Sequence, residues 1–450
     1  MTDEPTTPQH GAADPAAVAV SSALAATGTA ADWRTWLMIG ATGFGGPAGQ
    51  VAILHREVVE RKRWLGEEEF LAAMRLCMLL PGPEAQQLAT YVGWRRGGVA
   101  GGLLSGTLFV LPGAVLVTAL AWLHAAGGSL PLVAAAFAGT RPAVVALVAL
   151  AAWRIGRRSL RSPTAVLIAV AALVALAAGV SFPLVVLVAG IGGFLAPFDL
   201  APPAKTAADT TGATRPETAA APVGAAPFGH VARTAATWTL AWIVAYLAVR
   251  SMHLAGGRGA DIAALFTETT LLSLGGAYAV VPWALDESVA RGWLAADERF
   301  DALAMGEATP GPLILVVTFI GFLAGWKTGS PAGGDTLAGL AGAAIATFFA
   351  FLPSLAMIFT LAPLVRSIHA SSRLGRGMAA VGAVVVAAIV LLGLRLAAQA
   401  FFPAGLETGR IDPLALGVAI ACGVALVRGW ATTPVVVAAA AAIGAALAAA

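Results

Sequence analysis

Two Pro-Gly-Pro units, Pro81-Gly82-Pro83 and Pro310-Gly311-Pro312, stand inside long apolar stretches of this 450-residue chain. Proline removes an interior helical hydrogen bond yet fits a first helical turn, and glycine accepts the backbone angles of a sharp reversal. Each unit therefore predicts a helix that stops and restarts, with Pro83 and Pro312 opening new half-helices. Gly45-Gly46-Pro47 reads the same way; its partner Gly275-Gly276 is followed by Ala277, so that start is less sharply marked. A half-helix start carries unpaired N–H groups and a partial positive charge, which is chemistry for holding an anion. One such end contributes roughly 0.3–2 kcal/mol, whereas desolvating an ion costs several kcal/mol. Several ends must then converge, together with a basic side chain.

The polar residues beside the breaks fill out that site. Glu84 follows Pro83 and Glu307 precedes Pro310; carboxylates at membrane depth are costly and by default have a task. Glu84 reads either as a proton or counter-charge site competing with a substrate for the helix end, or as a static first-turn acid that complements the dipole. Gln86 and Gln87 can line a polar face after the first break, and Thr309 can donate a hydrogen bond at the second. Arg141, in Gly139-Thr140-Arg141-Pro142, and Arg75 are the nearest cations. Arg141 could instead cap a helix start, and Arg75 could snorkel or pair with a carboxylate. No His, Cys, Asp or Glu spacing suggests a metal site, and Cys77 and Cys422 lie far apart without a CxxC. No cofactor or catalytic residue is expected, and the chain does not read as an enzyme.

These residues need helices in a membrane to position them. The chain is 58% hydrophobic and 11% charged, with a mean hydropathy of +0.83, against about 25% charged residues in soluble proteins. Apolar runs near the 20 residues that cross a bilayer recur throughout. The fold class is all-α and polytopic. A net charge of +3 makes nucleic acid an unsuitable partner, and the lipid bilayer is the obvious one. Residues 1–30 form a polar N-terminal segment without the pattern of a cleaved signal peptide. Residues 197–229, rich in Pro, Ala and Thr, read as a flexible linker between residues 31–196 and 230–450.

The flanks of that linker repeat. Gly45-Gly46, Arg63-Trp64-Leu65, Pro81-Gly82-Pro83 and Leu111-Pro112 find counterparts in Gly275-Gly276, Gly292-Trp293-Leu294, Pro310-Gly311-Pro312 and Leu352-Pro353, in the same order. Gly97-Gly98 and Gly101-Gly102 read as small residues for close helix packing. Full crossings are expected from Gly98, Pro131, Pro163, Pro183 and Val231, then from Thr336, Gly377, Pro413 and Thr433, with the breaks entering and leaving on one side. This places Arg56–Arg63, Arg95, Arg96, Arg154, Arg157, Arg158, Arg161, Arg366, Arg373 and Arg376 in the cytoplasm, and Arg250, Arg258, Arg291, Arg299, Lys327, Arg395 and Arg410 outside. An odd number of crossings, counting an extra helix near Val231–Val249, separates the repeats. They are then inverted, an arrangement that in transporters puts the site near the midplane.

The strings FGGPAGQVAILHREVVERKRWL (Phe44–Leu65), MLLPGPEAQQLATYVGW (Met78–Trp94), FVLPG (Phe109–Gly113), LGGAYAVVPW (Leu274–Trp283) and GEATPGPLILVVTFIGF (Gly306–Phe322) resemble the chromate ion transporter family in its long, two-domain form. The resemblance implies a multi-pass protein of the inner membrane that exports chromate, a tetrahedral dianion shaped like sulfate, and so confers resistance. It implies motif positions at Gly45, Gly46, Pro47, Gln50, Pro81, Gly82, Pro83, Glu84, Gln86, Gln87, Gly275, Gly276, Glu307, Pro310, Gly311 and Pro312. Arg75 departs from the family pattern, which has a neutral polar residue there. Transport of sulfate or another oxyanion, and a passive anion channel, are the competing expectations. A coupling proton and a second copy of the chain stand as further partners that the residues leave open.

Overall fold

The computed structural model describes residues 32–128, 130–196, 228–328, 334–365, 372–403, 405 and 409–449, and among them there is no strand. The first half runs α1 (Trp33–Thr42), α2 (Gly46–His55, prolonged by a π-turn over Arg56–Arg61), α3 (Glu67–Leu79), α4 (Glu84–Gly127), α5 (Pro131–Ser159), α6 (Pro163–Ala177) and α7 (Phe182–Leu195). An extra helix, α8 (Phe228–Ser251), precedes the second half. That half comprises α9 (Gly259–Leu271), α10 (Val281–Ala290), α11 (Glu298–Ala308), α12 (Val316–Trp326), α13 (Thr336–Leu361), α14 (Ser372–Phe401), α15 (Pro413–Val427) and α16 (Thr433–Ala449). The expected N-terminal segment 1–30, residues 197–227 of the expected linker, and Arg366 lie outside the described residues; α8 already begins at Phe228.

Local chemistry sets the helix starts. Proline occupies the first turn of α2, α5, α6, α7, α10 and α15, where its missing N–H costs nothing. Side-chain caps act at α6, α13 and α15: Ser162 Oγ accepts from the Ala165 N–H at 3.1 Å, Asp335 Oδ1 from Ala338 at 3.0 Å, and Asp412 Oδ1 from Leu414 at 2.9 Å.

Among the described residues five helices, α4, α5, α8, α13 and α14, are long and apolar enough to cross a membrane. The crossings expected at Pro163, Pro183, Pro413 and Thr433 are shorter, at 15, 14, 15 and 17 residues. At 1.5 Å per residue these reach about 21–26 Å, below the ~30 Å hydrocarbon thickness. The outward faces are apolar, with Leu167 68%, Leu195 71% and Leu337 77% exposed. Lipid, not water, is the medium in which such a surface is stable. This is a helical membrane protein.

One glycine reading needs correction. Gly97 and Gly98 do not serve packing: Gly98 has φ +60° and the two interrupt α4, splitting it into a short helix over residues 84–96 and a spanning one. The two pieces form a tight hairpin, in which Ser105 Oγ donates to the Ala89 carbonyl at 2.8 Å. Gly101 and Gly102 do pack closely, Gly102 against Phe359. A hairpin of α12 and α13 is built the same way, with Gly321 against Gly342 and Gly325 against Ala338. Farther on the halves interlock. Helices α6 and α7 pack on α14, whereas α15 and α16 pack on α5.

Candidate functional site

All six glycines at the breaks have left-handed backbone: φ is +92° and +71° at Gly45 and Gly46, +124° at Gly82, +89° and +102° at Gly275 and Gly276, and +100° at Gly311. Side-chain-bearing residues pay a steric penalty there, which is why the breaks are glycine. Pro83 caps α4 directly, its carbonyl accepting the Gln87 N–H at 3.0 Å. The expected start at Pro312 is displaced: a 3-10 turn over Leu313–Leu315 intervenes before α12. After Gly276 comes another 3-10 turn, Ala277–Ala279, and α10 takes its first-turn proline from Pro282.

The breaks meet crosswise between halves. Gly311 N donates to the Gly43 carbonyl at 3.1 Å. Gln50, buried, donates from Nε2 to the Gly311 carbonyl at 2.6 Å and to the Gly43 carbonyl at 3.2 Å. Gly113 of α4 presses on the Pro310 carbonyl, leaving no room for a Cβ. This first crossing, between Gly45-Gly46 and the second Pro-Gly-Pro, is closed by direct hydrogen bonds. Gln50→Leu would leave the Gly311 carbonyl without its side-chain donor, at a cost of about 1–3 kcal/mol. We expect its thermal midpoint in detergent to fall by several degrees, at roughly 2–4 °C per kcal/mol; an unchanged midpoint would show that the link is not needed.

The second crossing differs. Counting from the glycine pairs, Val280 stands where Gln50 does, and among the described residues no side-chain amide bridges it. Gly276 faces Glu84 instead: a Cβ on Gly276 would stand 3.6 Å from Glu84 Oε1. Tyr278 Oη donates to Glu307 Oε1, so two half-buried carboxylates flank the Gly276–Tyr278 turn. Arg158 is within electrostatic reach of Glu84, and Arg154 of Glu307 and Tyr278. The arginines are one turn apart on α5, hence on one face, and both are exposed. In the sequence they stand out only as topology markers; their i, i+4 spacing on a spanning helix is the signal that singles them out.

Other expected site residues fall as follows. Gln86 and Gln87 are fully buried. Gln86 Oε1 accepts from Ser354 Oγ at 3.0 Å, and Gln87 Nε2 donates to the Pro81 carbonyl at 2.8 Å. They brace the first Pro-Gly-Pro against α13. Thr309 is buried, but its hydroxyl already donates to the Met305 carbonyl at 2.7 Å. Pro47 sits in the first turn of α2. Arg75 is exposed. Arg141 is not with the breaks: it pairs with Asp297 at 2.8 Å, at the far end of α11 from Glu307. Pro142 continues α5 beyond it, so the Arg-Pro pair does not start a helix.

Comparison with known proteins decides the kinship. The chromate transporter family model matches residues 32–194 and 260–445. The chain belongs to the chromate transporter family. It is 30% identical over 400 residues to the chromate transport protein of Pseudomonas aeruginosa, covering 88% of this chain and 86% of that one. A probable chromate transport protein of Synechococcus elongatus is 28% identical over 364 residues, covering 79% and 82%. The chromate transport protein of Cupriavidus metallidurans is 30% identical over 333 residues, covering 73% and 72%. No solved structure matches.

Proposed function

We propose that the chain exports chromate from the cytoplasm across the inner membrane, conferring resistance, and that the anion passes through the second crossing. The names of its relatives support the substrate. The observation that carries the site is the asymmetry of the crossings: one is bonded shut by Gln50, and the other joins the start of α4 to Gly276 under two arginines. Here the N–H groups after Pro83, with Arg154 and Arg158, supply positive potential to a dianion. Pro81, Gly82, Gln86, Gln87 and Gly275 hold the crossing open, while Gly45, Gly46, Pro47, Gln50, Thr309, Pro310, Gly311 and Pro312 hold its counterpart closed. Arg141 drops out of the substrate site.

The halves are taken as an inverted pair. Two separate matches to one family model, at 32–194 and 260–445, support the duplication; α8 supplies the extra crossing that turns the second half over. Export needs no chemical energy: an inside-negative potential drives a dianion outward by about 4.6 kcal/mol per 100 mV, roughly three orders of magnitude in concentration. Glu84 competes with the anion for the same helix end, so a proton on Glu84 accompanies anion binding. Nothing in this cycle makes or breaks a substrate bond, and no cofactor enters it.

Purified protein in liposomes should move chromate towards the positive side of an imposed potential, saturably. Sulfate carried with chromate refused would replace chromate by sulfate as the substrate. Flux that persists unchanged once the potential and pH gradients are collapsed would make the protein a passive channel.

A further inference from the structure

At the opposite end of α5 from Arg154 and Arg158 lies a polar cavity of about 340 Å³. Its charged lining comes from four elements: His124 near the end of α4, Arg141 of α5, Asp297, Glu298 and Asp301 at the start of α11, and Lys327 just after α12. Helix α16 also packs on α11 and has no charged residue. Arg258 reaches the same end, donating to the Ala324 carbonyl at 3.0 Å. Arg258 and Lys327 are among the residues that charge bias places outside the cell, which makes this the external mouth.

The charges pair off unevenly. Arg141 takes Asp297 at 2.8 Å, and Lys327 takes Glu298 at 2.5 Å. Although burial opposes it, the His124, Lys327 and Ala295 N–H donors hold the Glu298 carboxyl down at about 2, so Glu298 is a fixed charge. Asp301 is left with His124, whose Nδ1 is 3.8 Å from Oδ2. Asp301 is only 3% exposed, and its other oxygen, Oδ1, has no hydrogen-bond partner among the described residues. Arg141 Nε, on the same cavity, is likewise unpaired. A buried carboxylate oxygen without a donor is costly, and a bound proton removes that cost.

We propose that Asp301 and His124 form a proton-binding site that latches the external mouth of the transporter. With Asp301 ionised, its attraction to the His124 imidazole, whose Nδ1 stands 3.8 Å from Oδ2, ties α11 to the end of α4. When Asp301 takes up a proton the attraction is lost, and α11, whose far end carries Glu307 and leads into Pro310, is released to move. Burial pushes the Asp301 carboxyl up to about 6, with Asp297 and Glu298 raising it and His124 and Arg141 opposing. The latch is therefore closed above that pH and open below it. The site works alike for any transported anion.

The test has two readouts. An infrared titration of purified wild-type protein without substrate should show a carboxyl stretch appearing as pH falls through about 6, and Asp301→Asn should lose that component. In liposomes, wild-type flux should rise several-fold as the external pH is lowered across the same range. At saturating chromate Asp301→Asn, which mimics the protonated acid, should hold the fast rate throughout, with the wild-type KM at each pH, and His124→Gln should also flatten the profile. An infrared titration in which Asp301→Asn loses no carboxyl intensity relative to wild type, or a variant flux profile at saturating chromate that matches wild type, would overturn the proposal.

Discussion

Gly82→Ala inserts and purifies like the wild type but transports chromate at about one-tenth of its rate or less. At φ +124° an alanine is strained by roughly 1–2 kcal/mol. Space adds to the strain. The new Cβ would stand 2.7 Å from Gln87 Nε2 and 2.8 Å from Ser354 Oγ, with Ser354 Cβ at 3.1 Å. The chain can relieve this only by swinging the start of α4 away from α13, which breaks the Ser354–Gln86 hydrogen bond and re-aims the N–H groups after Pro83. Since 1.4 kcal/mol is a factor of ten, misdirection of that size removes most of the flux without unfolding a membrane protein of this length. Adding Pro83→Ala lets the preceding helix run on and should abolish what remains. Liposome flux alongside a size-exclusion profile measures both; wild-type flux from the double variant would remove the broken helix from the mechanism.

Glu84→Gln and Arg158→Gln shift the apparent affinity for chromate in opposite directions. Two unit charges about 8 Å apart at an effective dielectric near 20 interact by roughly 2 kcal/mol, and a dianion doubles the figure. Arg158 is exposed, so solvent and salt screen much of this, leaving about a three- to tenfold effect. Removing the arginine should raise KM by that factor, more at low ionic strength. Neutralising Glu84 removes the charge that competes for the helix end, so KM at neutral pH should fall. The sign of the pH dependence follows. Wild-type binding tightens as acid neutralises Glu84, and Glu84→Gln should hold the tight value at every pH. Steeper pH dependence in the variant, or equal KM shifts of the same sign in both, would exclude Glu84 as the competitor.

How far these residues could be read in advance depends on the range of the interaction each one makes. The breaks are local. A glycine at positive φ in a break is a property of three or four consecutive residues, and Gly45, Gly82, Gly275 and Gly311 all take that geometry. Membrane class is equally local, because hydropathy sums residue by residue. The Gly97-Gly98 pair was harder: small residues serve both turns and close packing, and only the backbone angles tell them apart. Arg141 was misplaced because distance along the chain is not distance across a bundle. It lies closer in sequence to the first break than Glu307 does, yet α5 carries it to the far end of α11.

By itself, then, the sequence determined a helical membrane protein of the chromate transporter family with breaks at Gly45-Gly46, Pro81–Pro83, Gly275-Gly276 and Pro310–Pro312. Only the tertiary structure decided how those breaks pair. Gln50 and Gly311 are 261 positions apart, and nothing in the spacing of either break says that the first glycine pair meets the second Pro-Gly-Pro. That meeting follows from two halves packing into each other, α6 and α7 on α14 and α15 and α16 on α5. Interlocking brings a glutamine to one crossing and two carboxylates with two arginines to the other, because side chains that differ between the halves sit at matching places in the bundle. The four breaks look alike along the chain, and their neighbours across the interface make them different.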